Sequence, residues 1–388
     1  MFDYLVIGKG MIGSAAARYL STSGESVALV GPDEPTDWAT HQGVFSSHYD
    51  QGRITRILDG NLVWGTLAKR SIAQYRDLET RSGIDFYEPV GVVQVGPHGS
   101  LAATTAVGNT LQADFASHSS EQFRAIHPAF HFPADCDCLL EGGVAGYVNP
   151  RLLVAAQVAV AQQQGATVIR ETVTAVSAHP THLDIHTDGG QRLQAKKVLV
   201  AAGAYSSGVL PQPLPLIRKP RTILLAEVSG AELERLRHIP AVIYYPGLPN
   251  SELVDTYMLP PIAYENGRFY LKIGGDMRDL VPADSDNTLR DWFNRGGSQR
   301  EADALRQVME AILPGLKADS YHHKPCVVSY REPKYPIIDT ILPGQLVVAT
   351  AGCGAAAKSS DEIGRLGAEL LQTGVWQDSL DGSLFQVG

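Results

Sequence analysis

The chain has 388 residues, 44% of them hydrophobic and 19% charged, which describes a globular protein of two or three domains and excludes a small module. Its 32 Lys+Arg against 41 Asp+Glu give a formal net charge of −9. That balance argues against nucleic acid or an anionic membrane surface as main partner, because both demand a basic footprint, yet it leaves room for a small anionic ligand held by one or two local cations.

Phe2–Ile7 predicts a short apolar strand that runs directly into Gly8-Lys9-Gly10-Met11-Ile12-Gly13. Ser14–Leu20 reads as a helix of small residues closed by Gly24, with Ala17 facing the sheet, and Val27–Val30 reads as the next strand. A G-x-G-x-x-G run between strand and helix is the context in which that motif holds a dinucleotide pyrophosphate. Gly8 permits the tight turn, Gly10 lets backbone N–H groups approach the phosphates, and Gly13 allows close helix–strand packing. The positive end of the helix dipole then faces the phosphates. The acid that should end the second strand and hold the ribose hydroxyls is missing. Val30 is followed by Gly31-Pro32, and Asp33 and Glu34 come only later, so either acid reaches back or a backbone group takes the role. Lys9 reads either as a phosphate contact or as a solvated lysine.

Pro150–Gly165 predicts an amphipathic helix, followed by strands at Thr167–Arg170, Val173–Ser177 and Leu183–Thr187. Lys197–Ala204 is a further strand ending in small residues and glycine, as a discontinuous dinucleotide-binding domain would show. Pro211–Pro220 reads as a crossover between domains. Strand-like runs follow at Thr222–Val228, Ala241–Tyr245 and Arg268–Ile273, with one clear helix at Ser298–Ile312. The end of the chain returns to the opening pattern: strand Leu346–Thr350, a turn at Ala351–Gly354, and a helix at Asp361–Leu371. No run approaches the ~18 apolar residues of a spanning helix. The strand at the very start argues against a cleavable leader. Cys136, Cys138, Cys326 and Cys353 are too few for a disulfide framework, and Cys136 and Cys138 flank one residue, not the two of C-x-x-C. A cytoplasmic enzyme is the expectation.

Three separated segments belong with the N-terminal loop: His48-Tyr49-Asp50-Gln51-Gly52-Arg53-Ile54-Thr55-Arg56; Leu271-Lys272-Ile273-Gly274; and Cys326 through Ile337-Ile338-Asp339, followed by Ala351-Gly352 and Lys358. Together they resemble the monomeric sarcosine oxidase family of flavoenzymes, with N-methyltryptophan oxidase and pipecolate oxidase, inside the wider D-amino-acid-oxidase-like fold. The resemblance runs from Gly8 to Gly374 and is loose between about Gly96 and Gly143 and from Ser229 to Asp255.

The resemblance implies FAD as cofactor, contacted by Gly8, Gly10, Met11, Ile12 and Gly13 in the loop, and by Ser47 and His48 after the second strand. It further implies contacts from Val173, Ala202 and Gly203 in mid-chain, and from Cys326, Gly352, Gly354 and Lys358 near the end. It implies that Lys272 sits over the flavin ring and promotes reaction with oxygen, where a preplaced cation stabilises developing negative charge. Arg53 is expected beside the ring as a second catalytic cation. Cys326 is expected to be joined by a thioether to the 8α-methyl carbon of FAD, with His322, His323 and Lys324 available to depress its pKa. Read without the resemblance, Cys326 is a small buried core residue. Arg56 and Lys358 are the implied clamps for a substrate carboxylate, the first as a planar fork and the second as a point charge.

Some positions depart from the family. The stretches from His48 to Arg53 and from Gly352 to Lys358 are slightly longer, Cys353 replaces a histidine between the turn glycines, and Asp276 replaces a histidine after Lys272. The groups around the substrate amine are therefore changed, with Asp276 counted among the substrate contacts. Tyr257, another candidate contact, and Tyr264 are either pocket or core residues.

The expected fold is α/β: a Rossmann-like FAD-binding domain (1–85, 146–215 and 325–388) interleaved with an antiparallel-sheet substrate-binding domain (86–145 and 216–324). The expected function is oxidation of a small carboxylate-bearing secondary amine or imino acid to an imine, with O2 reduced to H2O2, by a monomer or small homo-oligomer. A same-fold dehydrogenase passing electrons to a carrier or quinone is the alternative, and a non-redox nucleotide-binding module is a remote one.

Overall fold

The computed structural model describes residues 1–246 and 252–387. Its first sheet has eight strands drawn from the start, middle and end of the chain. Phe2–Ile7 lies centrally, parallel to Val27–Val30 on one side and to Arg192–Val200 on the other. Arg192–Val200 then divides its far edge. Its first half pairs antiparallel with Leu183–Thr187, and its second half pairs parallel with Leu346–Thr350. Helices Met11–Leu20, Pro150–Gln163 and Ala356–Thr373 pack together over this sheet. Their buried faces join strand residues such as Val6, Leu29 and Leu199 in one apolar cluster with Ala16, Leu20, Ile363 and Leu366. Runs of apolar residues in these strands, without alternation, are what a sheet covered on both faces requires.

The second sheet also has eight strands, in the order Ser320–Tyr330, Ile217–Val228, Phe269–Met277, Leu253–Ala263, Ala241–Tyr244, Val92–Pro97, Cys136–Glu141 and Phe115–Ser119. All of its pairings are antiparallel except that of Ala241–Tyr244 with Val92–Pro97. Helix Gln299–Ile312, capped by the Ser298 side chain, lays Leu305, Met309 and Ile312 on one face. A three-stranded sheet of Arg53–Thr55, Gly146–Val148 and Tyr87–Glu88 completes the fold.

Several expected elements shift. The crossover at Pro211–Pro220 is shorter than expected, because the strand begins at Ile217 and contains Pro220. Proline is tolerated there since pairing with Phe269–Met277 on the other side starts only at Ile223, with an isolated bridge from Arg218 to Ala283 before it. The last helix begins at Ala356, five residues before the expected start, so Lys358 sits in its first turn. Its alanines are strong helix formers that look like turn filler beside Gly352 and Gly354. Helices Leu62–Ser82, Gly230–Leu236 and Asp286–Asn294 had no counterpart in the sequence reading. The boundary expected at 325 falls inside strand Ser320–Tyr330, which places Cys326 on the second sheet.

Candidate functional site

The glycine loop is shaped by close approach. Gly8 has φ +108°, and a Cβ there would strike the Ala201 carbonyl. A Cβ on Gly13 would strike the Gly8 carbonyl, so Gly13 packs inside the loop. At Gly10 the added atom would meet only His48 Nδ1, at 3.8 Å. Gly10 is also the N-cap of helix Met11–Leu20 and supplies no side-chain hydrogen bond to it. The open side of the loop and the start of the helix therefore face a cavity of about 410 Å3.

That cavity brings together nearly all the expected cofactor contacts. Gly8, Gly10, Met11, Ile12, Ser47, His48, Val173, Ala202, Gly203, Cys326, Gly352 and Gly354 all line it. Gly13 and Lys358 do not line it. Asp33 and Glu34 are both engaged elsewhere. Asp33 pairs with Lys9 and, at 2.6 Å, with Arg170; Glu34 takes a two-pronged bond from Arg151 at 2.6 and 2.7 Å. Lys9 is thus an ion-paired residue at the cavity edge, not a solvated lysine. Burial pushes the His48 imidazole down to about 3, helped by Arg151, Lys9 and Arg53, so it faces the cavity uncharged.

Two residues of the cavity lining, Arg53 and Cys326, meet. Arg53 Nη2 lies 3.4 Å from Cys326 Sγ and donates to the Ser47 carbonyl at 3.0 Å. The cation against the thiol is Arg53; His322 instead bonds Ser320 Oγ at 3.0 Å. Arg53 Nη1 and Lys272 Nζ both pair with Asp50 Oδ2. Lys272 also donates to the Gly52 carbonyl at 2.6 Å, and Tyr264 Oη donates to Asp50 Oδ1 at 3.1 Å. Lys272 is fully buried, with Nζ 5.2 Å from the centre of the Tyr257 ring. Burial and the neighbouring Arg53 lower its pKa to about 8, against the pull of Asp50. Burial alone would raise the Asp50 carboxyl, but Lys272 and Arg53 hold it well below the usual carboxylate range.

Comparison with known proteins decides the family. The chain matches the FAD dependent oxidoreductase family over residues 3–370. It belongs to that family. N-methyl-L-tryptophan oxidase of Yersinia pestis (strain Pestoides F) is 29% identical over 261 residues, covering 64% of this chain and 67% of that protein. NikD, a solved structure described as an unusual amino acid oxidase essential for nikkomycin biosynthesis, superposes with a TM-score of 0.79 at 20% identity over 99% of this chain and 97% of its own. L-proline dehydrogenase from P. horikoshii superposes at 0.76, with 14% identity over 100% of this chain and 96% of its own. The two structural likenesses concern the fold alone.

The residues present fit the FAD that this oxidoreductase family uses. Gly10 leaves space in the cavity that a Cβ would narrow, the uncapped helix start offers backbone N–H groups to a pyrophosphate, and the cavity volume lies within the usual range for a bound ligand. Membership of an oxidoreductase family also removes the reading as a non-redox nucleotide module.

The two expected clamps meet as well, on a residue the sequence reading passed over. Lys358 donates to Asp59 Oδ2 at 2.6 Å, and Arg56 Nη2 lies 3.6 Å from the same oxygen. Burial lowers Lys358 to about 8, with Asp59 opposing. Arg56 Nε is buried without a hydrogen-bond partner among the described residues. Glu141 closes the back of the group by accepting the Ile57 and Leu58 amides at 2.8 and 2.9 Å. Asp276 pairs with Arg221. Asp50 and Asp59 did leave a signal: each stands three residues from an arginine, at Asp50–Arg53 and Arg56–Asp59.

Proposed function

We propose that the protein is an FAD-dependent amine oxidase acting on a small secondary amine or imino acid that carries a carboxylate, yielding an imine and H2O2. The observation that carries this reading is the buried Lys272 ammonium, held in the same polar group as the cavity-lining Arg53 and Cys326. FAD, bound by the glycine loop and the residues down to Cys326, supplies the two-electron acceptor chemistry. Lys272 offers a fixed, water-excluded cation where negative charge develops as oxygen is reduced. Arg56, whose Nε has no hydrogen-bond partner among the described residues, and Lys358 take the substrate carboxylate in competition with Asp59. Cys326 carries the covalent link to FAD, with Arg53 Nη2 3.4 Å from its sulfur. The name of the N-methyl-L-tryptophan relative, an oxidase of an N-methylated amino acid, supports the same substrate class.

A second reading, a dehydrogenase passing electrons to a carrier or quinone, draws support from Asp50, which neutralises part of the Lys272 charge. One experiment separates the two. Holoenzyme mixed anaerobically with N-methyl amino acids and cyclic imino acids should lose its flavin absorbance, then regain it on admission of O2 with one H2O2 formed per amine consumed. Recovery with a quinone or dye but not with O2 would establish the dehydrogenase. No bleaching by any such amine would overturn both.

A further inference from the structure

The run His179-Pro180-Thr181-His182-Leu183-Asp184 closes the hairpin between strands Val173–Ala178 and Leu183–Thr187, at one edge of the first sheet. Ala178 stands opposite Leu183, and the His179 amide donates to the His182 carbonyl at 2.9 Å, so Pro180 and Thr181 make the turn. The turn brings both imidazoles to one side, their rings stacked at 4.8 Å with 16° between the planes. Asp184 follows His182 by two residues, and alternate residues of a strand share a face, so its carboxylate stands beside them. Asp184 Oδ2 lies 2.8 Å from His179 Nε2, and Oδ1 lies 3.6 Å from His182 Nε2.

The neighbours fix how these atoms are presented. Gln194, directly opposite Asp184 on Arg192–Val200, donates its amide N–H to Asp184 Oδ1 at 3.0 Å. The same amide nitrogen lies 3.2 Å from His182 Nε2. An amide nitrogen can only donate, so His182 Nε2 carries a lone pair and the ring proton is on Nδ1, 3.3 Å from Thr181 Oγ1. An imidazole that binds a metal is arranged in this way, with one nitrogen open and the other N–H tied to an oxygen. Asp184 is buried, and Arg192 at 2.6 Å together with Gln194 holds its carboxyl well below the usual carboxylate range. Gln345 donates to the His179 carbonyl at 2.9 Å and braces the turn from outside the hairpin.

We propose that His179, His182 and Asp184 form a binding site for a divalent transition-metal ion of the zinc type. Two imidazole nitrogens and one carboxylate oxygen suit zinc, cobalt or nickel, whereas magnesium and calcium take oxygen ligands. The three ligand atoms lie within 4.8 Å of one another. A tetrahedral ion with bonds of about 2.0–2.1 Å needs them about 3.3 Å apart, a closure that turning the two rings supplies. On binding, neutral His179 moves its proton from Nε2 to Nδ1, and the ion takes the place of the Gln194 N–H at His182. Three protein ligands leave the fourth position to water. Arg192, on the same carboxylate, opposes the ion by its charge and lowers the affinity. The ion staples the tip of a hairpin whose other end, at Thr172, Val173 and Thr174, lines the cavity.

The test uses the full chain with its flavin, stripped of metal by a chelator and titrated with Zn2+ in a calorimeter. One Zn2+ should bind at this site and raise Tm, as any ligand of the folded state does. His179→Gln and His182→Gln keep a polar side chain on a turn open to solvent but lose the imidazole. Each should weaken binding by more than the about 10–100-fold that loss of an outer partner costs, and Zn2+ should no longer raise Tm. Arg192→Gln should tighten binding, because the competing charge is gone, and His238→Ala, at an exposed histidine elsewhere, should change nothing. Failure of wild type to bind Zn2+, or equal affinity in wild type and both glutamine variants, would overturn the site. Neither result would touch the oxidase reading, because the site takes no part in the flavin chemistry.

Discussion

Lys272 and Asp50, 222 positions apart, form an ion pair in which the lysine is fully buried and the aspartate 3% exposed. A buried ammonium keeps its charge only if a carboxylate compensates the lost hydration. Asp50 does this for two cations, Lys272 and Arg53, and leaves the trio with one net positive charge.

This arrangement predicts different sensitivities for the reductive and the oxidative half-reaction. Lys272→Met should slow reoxidation of the reduced enzyme by O2 about 10²–10³-fold, the size of effect seen when one preorganised electrostatic partner is removed, while reduction by the amine changes little. Stopped-flow traces of the two half-reactions check it. In wild type the Lys272 charge is present below about pH 8 and lost above it, so the O2 rate should fall through that value as pH rises. Asp50→Asn removes the group that holds the lysine pKa up. The same fall should then occur at lower pH. An O2 rate independent of pH in both proteins would separate Lys272 from oxygen activation.

Cys326 gives a second prediction. After acid denaturation the intact polypeptide should be heavier by one FAD, and Cys326→Ala should release the flavin to the supernatant. Arg53→Met should slow attachment during reconstitution, because the cation 3.4 Å from the sulfur is gone. Flavin released from the wild-type chain would reduce Cys326 to a packing residue.

The glycine loop allows binding to be separated from folding. Gly10→Ala points its new methyl into the open cavity, so the fold should hold and FAD retention should drop sharply. Gly13→Ala drives its methyl into the Gly8 carbonyl and should cost about 1–3 kcal/mol of stability, as overpacking does. Thermal melts of the apoproteins, set beside flavin content, distinguish the two.

What could be read from the sequence was whatever depends on short range. The strand–loop–helix start, the alternation that singles out Lys272, and the return to small residues at Ala351–Gly354 are all local patterns; the structure places the first and last around one cavity, and ties Lys272 to the cavity-lining Arg53 through Asp50. The pairings of Asp50, Asp59 and Arg221 are not legible locally, because their partners lie far along the chain. Asp59 acquires its role only when Lys358, 299 positions away, is brought to it by the first turn of the last helix. His322 was credited with supporting Cys326 on sequence proximity, yet residues along a strand step away from each other, and the thiol finds its cation on the Arg53–Thr55 strand instead.

The Arg56–Asp59–Lys358 group yields the last prediction, and its sign follows from the pairings. Both cations already share one carboxylate oxygen, so a substrate carboxylate must compete with Asp59 for them. Arg56→Met or Lys358→Met should each raise KM for a carboxylate-bearing amine about 10–100-fold, the worth of one charge-assisted hydrogen bond. The corresponding amine carboxamide, a weaker substrate, should scarcely notice either change. Arg56→Lys should not rescue, because a point charge cannot present two parallel N–H groups. Since burial brings Lys358 to about 8, affinity for an inhibitory carboxylate should weaken as pH rises through that value in wild type and lose this dependence in Lys358→Met. Asp59→Asn distinguishes competition from support. If Asp59 only competes, its loss tightens carboxylate binding at pH 6.5, where Lys358 remains charged. Weaker binding there would mean that Asp59 holds the two cations in the geometry the substrate needs.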